Sequence, residues 1–295
     1  MVRDLLIEIG VEELPARYIE PAANSFRNLL IQLFDLHEIT YGDIDLFYTP
    51  RRLAIIFKNV KEFEPDKKEE ITGPPVAHAF KEGEPTPALK GFMKKFGITI
   101  KDIKRKSHKG YEVVYFERKR KGKPTVEILR ENFKEILKNV EFPKKMYWGC
   151  EIKFARPIRW LLALSGEEII PIEFCGIKAG KVTQGLRYDK PIEINSPDEY
   201  KTKLKSCGIL VDPQERKNFI INEIEKLLHN RLAYIKDEEL LDEITNLVEC
   251  PLVLLGKFDK RFLFLPEKII IQAMKAHQRY IGVIEKSGDK LAPYF

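Results

Sequence analysis

The order of helical and extended segments is the feature that most constrains the fold of this chain. Amphipathic helical patterns are mixed with short strand-like stretches, but the two do not repeat as regular strand–helix–strand units. Such units would indicate a doubly wound parallel sheet, whereas an irregular mixture is typical of an α+β fold. We therefore expect a mixed or antiparallel sheet with packed helices. Well-defined helix starts begin only after Pro191, which predicts two subdomains, residues 1–192 and a helix-rich part at 193–295.

Hydrophobic periodicity and turn residues predict the individual elements. Strands or short apolar segments are predicted at Leu5–Gly10, Asp45–Thr49, Leu53–Val60, Tyr111–Glu117, Arg156–Leu164, Glu168–Phe174 and Pro251–Gly256. Helices are predicted at Pro21–His37, Pro87–Phe96, from Val126 to Val140, at Pro266–His277, and after the capping signals at Ser196, Asp212 and Asp237. Residues Glu64–Thr86 are rich in proline, glycine and charge, and are predicted to form a long loop.

Several classes of protein lack support because their sequence patterns are absent. No apolar run approaches the roughly 20 residues that a membrane span requires. Gly176–Val182 resembles a phosphate-binding loop, but it has three residues between its glycines and Val182 where Ser or Thr is required. The five histidines are isolated, which argues against a catalytic zinc, and we expect no cofactor in this chain. Without a CxxC pair we expect reduced thiols in a cytoplasmic protein. The cysteines are Cys150, Cys175, Cys207 and Cys250.

The positive charge is concentrated in one segment, Lys101–Lys123. It contains ten Lys or Arg against three Asp or Glu, a net charge of +7, whereas the whole chain carries +6. The rest of the chain therefore sums to −1. This basic hairpin is a possible footprint for a polyanion. A solvated hairpin on a lysine-rich surface fits the composition as well.

Cations next to aromatic residues mark three further segments. Arg51 and Arg52 follow a proline between two predicted strands. Lys144 and Lys145 precede Trp148, and Arg156 and Arg159 precede the second tryptophan, Trp160. Such groups suit phosphate contact combined with base stacking. They suit equally a protein interface anchored by Trp and Arg, or a buried Trp covered by Arg.

Seven sequence strings together resemble the beta subunit of bacterial heterotetrameric glycyl-tRNA synthetase. They run in family order over nearly the whole chain, which makes the resemblance specific although each string alone is weak. The strings are Glu8–Ala16, Thr49–Ala54, Gly73–Pro75 with Ala79–Phe80, Pro143–Met146 with Trp148–Gly149, Phe154 with Arg156–Ile158, Glu243–Glu249 with Pro251, and Met274–Lys275 with His277–Tyr280.

The resemblance implies a subunit of an α2β2 ligase that joins glycine to its tRNA with ATP. In that family the catalytic core that makes glycyl-adenylate belongs to the alpha subunit, where ATP and magnesium are expected. The beta subunit mainly binds tRNA-Gly and supports the alpha subunit, and it is about twice as long as this chain. We therefore expect a fragment that is inactive alone and that lacks the family's later HD-type and anticodon-binding regions.

The chain departs from the family pattern at three places. Leu186 stands where the family commonly has His, although Arg187 matches. Cys250 stands where the family has Trp, which puts stacking at that position in doubt. Ile281 stands where the family often has Phe.

The resemblance and the charge pattern predict a set of tRNA-binding or alpha-interface residues and no catalytic residue. The set is Arg51, Arg52, Lys144, Lys145, Trp148, Arg156, Arg159, Arg187, His277, Gln278 and Arg279. Two alternatives stay open. This chain could be only a docking scaffold for the alpha subunit, with tRNA held by domains it lacks. It could also be an editing hydrolase, for which His277, Gln278 and Glu249 are the candidate residues.

Overall fold

The structure, a computed structural model, describes residues 1–81, 83–108, 111–149, 152–187, 189–228, 231–288 and 290–295. The chain forms two compact units. Unit 1 contains Met1–Glu62 and Thr125–Phe295, and unit 2 contains Phe63–Pro124. Unit 2 is thus inserted into unit 1. The predicted boundary between residues 192 and 193 is not tested by this division and stays a prediction.

The described residues contain strands and helices in irregular order, which confirms the predicted α+β class. The helices are α1 (Ala16–Leu36), α2 (Val76–Ala79), α3 (Pro87–Phe96), α4 (Thr125–Asn139), α5 (Glu199–Ser206), α6 (Pro213–Leu227), α7 (Glu238–Thr245) and α8 (Glu267–Ala273). No helix in these described segments is long and apolar enough to span a membrane.

The longer strands are β1 to β4 and β7, β8 and β11, and the remaining strands are two or three residues long. In chain order they are β1 (Val2–Val11), β2 (Ile44–Thr49), β3 (Arg52–Lys61), β4 (Lys67–Pro75), β5 (Phe80–Lys81), β6 (Glu84–Pro85), β7 (Lys104–His108), β8 (Tyr111–Arg120), β9 (Met146–Tyr147), β10 (Lys153–Phe154), β11 (Ile158–Ser165), β12 (Glu168–Ile169), β13 (Glu173–Phe174), β14 (Ile177–Lys178), β15 (Val182–Thr183), β16 (Ile192–Glu193), β17 (Leu232–Tyr234), β18 (Val283–Glu285) and β19 (Lys290–Leu291).

A five-stranded antiparallel sheet forms the centre of unit 1. Its strand order is β12-β11-β1-β3-β2, so β1 lies in the middle and pairs with β3 and with the distant β11. The middle strand is buried from Leu5 to Val11 because both faces of the sheet are covered. One face packs against α1 and α4 through residues such as Phe26 and Phe133. The other packs against α5 through Tyr200 and Leu204.

Unit 2 has its own small core. Strands β4, β8 and β7 form an antiparallel sheet, and Ala79, Leu89 and Val114 are the buried residues of a cluster that also includes residues of α3. Within the window predicted as a basic hairpin, 101–123, strands β7 and β8 pair in antiparallel orientation. Within that window, Lys109 lies outside the described residues.

Four predicted elements differ from the structure. The strand predicted at Glu168–Phe174 is divided into β12 and β13, which pair with different strands. The segment predicted as a long loop, Glu64–Thr86, contains β4, α2 and two short strands. Charged side chains obscure β4 in the sequence, and β4 is defined by its pairing with residues of β8 that lie 38 to 53 positions later. The predicted helix at Pro21 begins at Ala16, so Pro21 lies inside α1. The predicted strand Pro251–Gly256 is irregular, with Leu252 and Leu254 exposed.

Two local predictions need correction as well. Ser196 does not cap α5, which begins at Glu199 and has no side-chain hydrogen bond at its cap. The prediction that all cysteines are reduced is wrong for Cys175, which is disulfide-bonded, whereas Cys207 and Cys250 are free. Cys150 lies outside the described residues.

Candidate nucleic-acid interface

A buried carboxylate, Glu8, lies in the middle of the central sheet. Its side chain is fully buried and accepts hydrogen bonds from the Trp160 indole, the Tyr200 hydroxyl and the Thr183 hydroxyl, the last at 2.5 Å. A buried carboxylate is costly unless donors replace water. Three donors from three later segments of the chain therefore hold the Glu8 side chain and, through it, tie those segments to β1.

A second carboxylate, Glu249, neutralises the two arginines at the start of β3. It accepts from Arg52 Nε at 2.9 Å and from the Thr49 hydroxyl at 2.5 Å, and lies 3.6 Å from Arg51 Nη1. Arg52 is fully buried and also donates to Thr183 and to the Gln184 carbonyl at 3.3 and 3.1 Å. Two guanidinium groups and two carboxylates thus form one connected network, which we call the buried network.

Trp160 contacts both parts of the buried network: its indole donates to Glu8, and its ring faces Arg51 and Arg52. The guanidinium groups of Arg51 and Arg52 lie 5.6 and 5.7 Å from its ring centroid, within the range of cation–π attraction. Gly10 makes this position possible, because a Cβ atom at residue 10 would lie 1.9 Å from the indole ring. The glycine of β1 is therefore required by close packing.

The electrostatics fix the protonation of the buried network. Burial lowers the pKa of Arg52, but the negative charges of Glu249 and Glu8 outweigh it and raise that pKa above its ordinary value. Burial, reinforced by the charge of Glu8, raises the pKa of Tyr200. Arg52 therefore stays charged and Tyr200 stays neutral at physiological pH, as a structural network requires.

Arginine side chains contact two adjacent glutamates with exposed side chains, Glu12 and Glu13. Arg187 Nη2 lies 3.4 Å from both Glu12 and Glu13, and Arg159 Nε lies 3.3 Å from Glu12. Arg156 Nε donates to the Glu13 carbonyl at 3.0 Å. We call these five residues the rim cluster. Exposed ion pairs of this kind contribute little stability, so the arginines can exchange a carboxylate for another anion.

The structure brings five of the predicted arginines together, but at two depths. Arg156, Arg159 and Arg187 are in the rim cluster, and Arg51 joins the same loop by donating to the Gly185 carbonyl at 3.1 Å. Arg52 lies entirely in the interior and has no surface to offer a phosphate. For Arg52 the structure indicates a role in the fold, and the roles of the other arginines stay predictions.

The Lys144–Trp148 segment forms a separate exposed strip. The Trp148 indole donates to the Phe154 carbonyl at 3.0 Å, and 37% of the side chain is exposed. Lys145 donates to the Lys138 carbonyl at 2.8 Å, and burial lowers its pKa. Lys144 is exposed. The segment thus has an exposed lysine and a partly exposed tryptophan, and their role in binding stays a prediction.

The three remaining predicted residues lie at the end of α8. The helix continues as a wide turn over Met274–Gln278, and Arg279 has φ 58° and an ion pair of 2.8 Å with Glu243. His277 and Gln278 line an apolar cavity of about 430 Å³. Glu249 is not among the residues that line it. The three candidates for an editing site are therefore not brought together.

Sequence reasoning missed the partners in the buried network and one further hub, Arg216. Arg216 is fully buried and donates to backbone carbonyls of Thr245 at 2.8 Å, Tyr48 at 3.0 Å, and Leu210. Burial lowers its pKa to about 10. The one sign of the buried network in the sequence is a single acid, Glu8, inside an otherwise apolar stretch. Nothing local marks Arg216, because its partners are backbone atoms.

Comparison with known proteins gives one consistent result. A family model described as glycyl-tRNA synthetase beta subunit matches residues 5–295. The glycine–tRNA ligase beta subunits of Desulforamulus reducens and Bacillus subtilis are 37% and 38% identical to the chain over 296 and 297 residues, 99% of its length in both cases. That of Oceanobacillus iheyensis is 39% identical over 299 residues. The chain spans 43% of the length of each of these relatives.

Proposed function

The chain belongs to the glycyl-tRNA synthetase beta subunit family, and on that premise we propose that it binds tRNA-Gly and supports an alpha subunit. The adenylate chemistry, with its ATP and magnesium, then belongs to the alpha subunit, and this chain alone is inactive in the ligation. In this proposal the buried network holds the frame, and the exposed cations of the rim cluster meet the RNA in the cytoplasm.

The observation that carries the proposal is the rim cluster. Three arginines converge on one exposed surface, where 62% of Arg159 and 53% of Arg187 are accessible. The guanidinium group binds phosphate through paired hydrogen bonds, so it suits a contact that positions an RNA backbone. The weak ion pairs to Glu12 and Glu13 keep the side chains near that surface in the absence of RNA.

A salt-titrated binding assay tests this role. Arg159→Gln with Arg187→Gln should weaken tRNA-Gly binding about tenfold and reduce the salt dependence by roughly two phosphate contacts. Arg130→Gln with Arg261→Gln is the matched control, because both arginines are exposed and paired with carboxylates at 3.6 and 3.1 Å. Equal affinity of the two double variants would contradict the proposal.

A second candidate function is docking of the alpha subunit without RNA contact. It is favoured by the apolar surface of residues 219–295, where a cavity of about 540 Å³ is lined by Ile220, Ile224 and Leu254. Leu252, Leu254 and Phe264 are 81%, 74% and 81% exposed. Large exposed apolar patches are typical of protein interfaces.

Co-purification with the alpha subunit separates the two functions. Leu252→Ser with Leu254→Ser should abolish co-purification if this surface docks the alpha subunit, and should leave tRNA binding by the isolated chain unchanged. If the wild-type chain co-purifies with the alpha subunit but binds no tRNA alone, the docking function is the correct one.

A further inference from the structure

Unit 2 carries the entire positive excess of the chain. Residues 63–124 contain sixteen Lys or Arg and nine Asp or Glu, a net charge of +7, whereas the other 233 residues sum to −1. The excess therefore coincides with a structural unit that has its own sheet and core. Cations grouped without acidic partners would indicate a binding surface in that unit, whereas cations interspersed with acids would indicate an ordinary solvated surface.

The strand register of unit 2 places cations directly opposite one another. Lys67 lies opposite Arg120, and Lys68 lies opposite Lys119. Like charges at directly opposite positions of an antiparallel pair are destabilising. Arg120 is also paired with Glu64, so the repulsive pair is that of Lys68 and Lys119, which concentrates positive charge at the paired ends of β4 and β8.

Two of the three described cations of β7, at the other edge of the same sheet, are neutralised. Lys104 forms an ion pair of 2.6 Å with Glu117, and Lys106 forms one of 2.6 Å with Glu70. Arg105, the third cation of β7, lies over the Phe80 ring at 5.0 Å from its centroid. Four further cations, Lys68, Arg118, Lys119 and Lys121, have no carboxylate within 4.0 Å among the described residues and lie where β4 begins and β8 ends.

We call the cations at this place the basic cluster. It consists of Lys67, Lys68, Arg118, Lys119, Arg120 and Lys121. Three acids temper it. Lys104, and after it Lys68, lower the pKa of Glu117, so the Glu117 carboxylate offsets part of the charge of Lys68. Glu64 lies 3.6 Å from Arg120, and Glu69 lies opposite Arg118 in the register. Lys68, Arg118, Lys119 and Lys121 are exposed.

We propose that the basic cluster is a phosphate-binding surface that holds the sugar–phosphate backbone of the tRNA. The inference rests on the proposed function and names a second surface for it. Phosphates would relieve the repulsion between the opposed cations, and each contact would release counterions. Because the cluster presents ammonium and guanidinium groups to a backbone, the contact positions the RNA without reading its sequence.

The test neutralises three exposed members of the basic cluster in the full chain, Lys68→Gln, Lys119→Gln and Lys121→Gln. The control is Lys153→Gln, Lys260→Gln and Lys268→Gln, which removes the same charge from exposed positions of unit 1. Binding of fluorescent tRNA-Gly is measured at several salt concentrations. We expect the cluster variant to bind about tenfold more weakly at low salt and to lose roughly 2 to 3 units of slope in log K against log salt.

The melting temperature of the variant distinguishes a binding role from a structural one. If the cluster only stabilised the fold, the variant would melt at a lower temperature than the wild type. Removing Lys68 and Lys119 removes a repulsive cross-strand pair, so the variant should melt at or above the wild-type temperature. Weaker binding combined with a lower melting temperature would assign the effect to folding and overturn the inference.

The remaining outcomes separate the inference from the proposed function. Wild-type binding by the cluster variant, or an equal loss in the control, would overturn the inference and leave tRNA binding in place. Reduced co-purification with the alpha subunit at unchanged RNA affinity would assign the cluster to an acidic protein surface and overturn it too. An absence of tRNA binding by the wild-type chain would overturn both.

Discussion

Glu249 balances two guanidinium groups, and its loss should therefore cost more than its own hydrogen bonds. Glu249→Gln removes the carboxylate that pairs directly with the fully buried Arg52 and leaves it with the nearby charge of Glu8, and breaking a buried pair typically costs about 3–5 kcal/mol. We expect that decrease in the free energy of unfolding, measured by urea denaturation.

The matched control is Glu12→Gln. Glu12 also pairs with two arginines, but its side chain is 40% exposed, so the change should stay within about 0.5 kcal/mol. Similar losses for the two variants would contradict the assignment of a buried and an exposed layer.

Tyr48 makes stability sensitive to alkaline pH. Burial raises its pKa from 10.0 to about 12, so the folded chain holds this proton where the unfolded chain releases it. The stabilising contribution is complete below pH 10 and is lost as the pH rises from 10 through 12. Denaturation midpoints between pH 9 and 11 should fall less in Tyr48→Phe than in the wild type. Tyr147→Phe, at an exposed tyrosine, should follow the wild type.

At this scale the sequence identifies residues better than their roles. Arg51, Arg52 and Arg187 stand out as cations in specific strings, and the structure does place them near one another. Which of them is buried could not be predicted, because the carboxylate that pairs with the buried Arg52 lies 197 residues away in the chain. Pairing at that separation depends on the whole topology.

Helix starts show which local signals determine an element. Asp212 and Asp237 accept backbone hydrogen bonds at the starts of α6 and α7, as the sequence predicts. Ser196 carries an equally clear signal but does not cap α5, because the helix begins three residues later at Glu199. There the Glu199 carboxylate accepts from the Asn195 backbone at 3.1 Å. A capping motif therefore predicts a helix start to within a few residues.

The α6 cap can be tested separately from its ion pair. Asp212 accepts from the backbone of Gln214 and Glu215 and also pairs with Lys201 at 2.7 Å. Asp212→Ala should lower the free energy of unfolding by about 1 kcal/mol or more, whereas Asp212→Asn keeps the cap and should lose less. Equal losses would assign the effect to the ion pair. Ser196→Ala is the control and should change little.

The sequence does not predict strand β4, for a different reason. Its sequence from Lys67 to Thr72 has two lysines, two glutamates and one apolar residue, so it matches a loop by composition. It becomes a strand through a partner, β8, whose own apolar residues Val114 and Phe116 are buried. An element stabilised mainly by its neighbour leaves a weak pattern in its own residues.

The division into two units makes a prediction for the whole molecule. The Thr125 amide donates to the Glu62 carbonyl at 2.8 Å, so the chain leaves and re-enters unit 1 at adjacent points. Replacing residues 63–124 with a short turn should leave the near-ultraviolet circular dichroism of unit 1 and a cooperative melting transition. The clusters that contain the central sheet draw their described members from outside 63–124. A molten product would contradict this independence.

The sequence shows where the positive charge lies along the chain, but not that this charge belongs to a separate structural unit. The window Lys101–Lys123 holds the same net +7 as unit 2, because residues 63–100 balance internally. Only the structure shows that β4 brings Lys67 and Lys68 against the end of β8. The α+β class follows from the order of patterns, whereas the insertion depends on contacts that a linear pattern does not contain.

The central position of β1 has a consequence for synthesis on the ribosome. Ile7 pairs with Ala163, and the Arg52 carboxylate partner is Glu249. Synthesis proceeds at about 5–20 residues per second, so β11 is made roughly 8–30 s after β1. Glu249 is made roughly 10–40 s after Arg52. During that interval the nascent chain exposes apolar strand edges and an unpaired charge intended for the interior. We therefore expect chaperones to bind the emerging polypeptide until residue 249 leaves the exit tunnel.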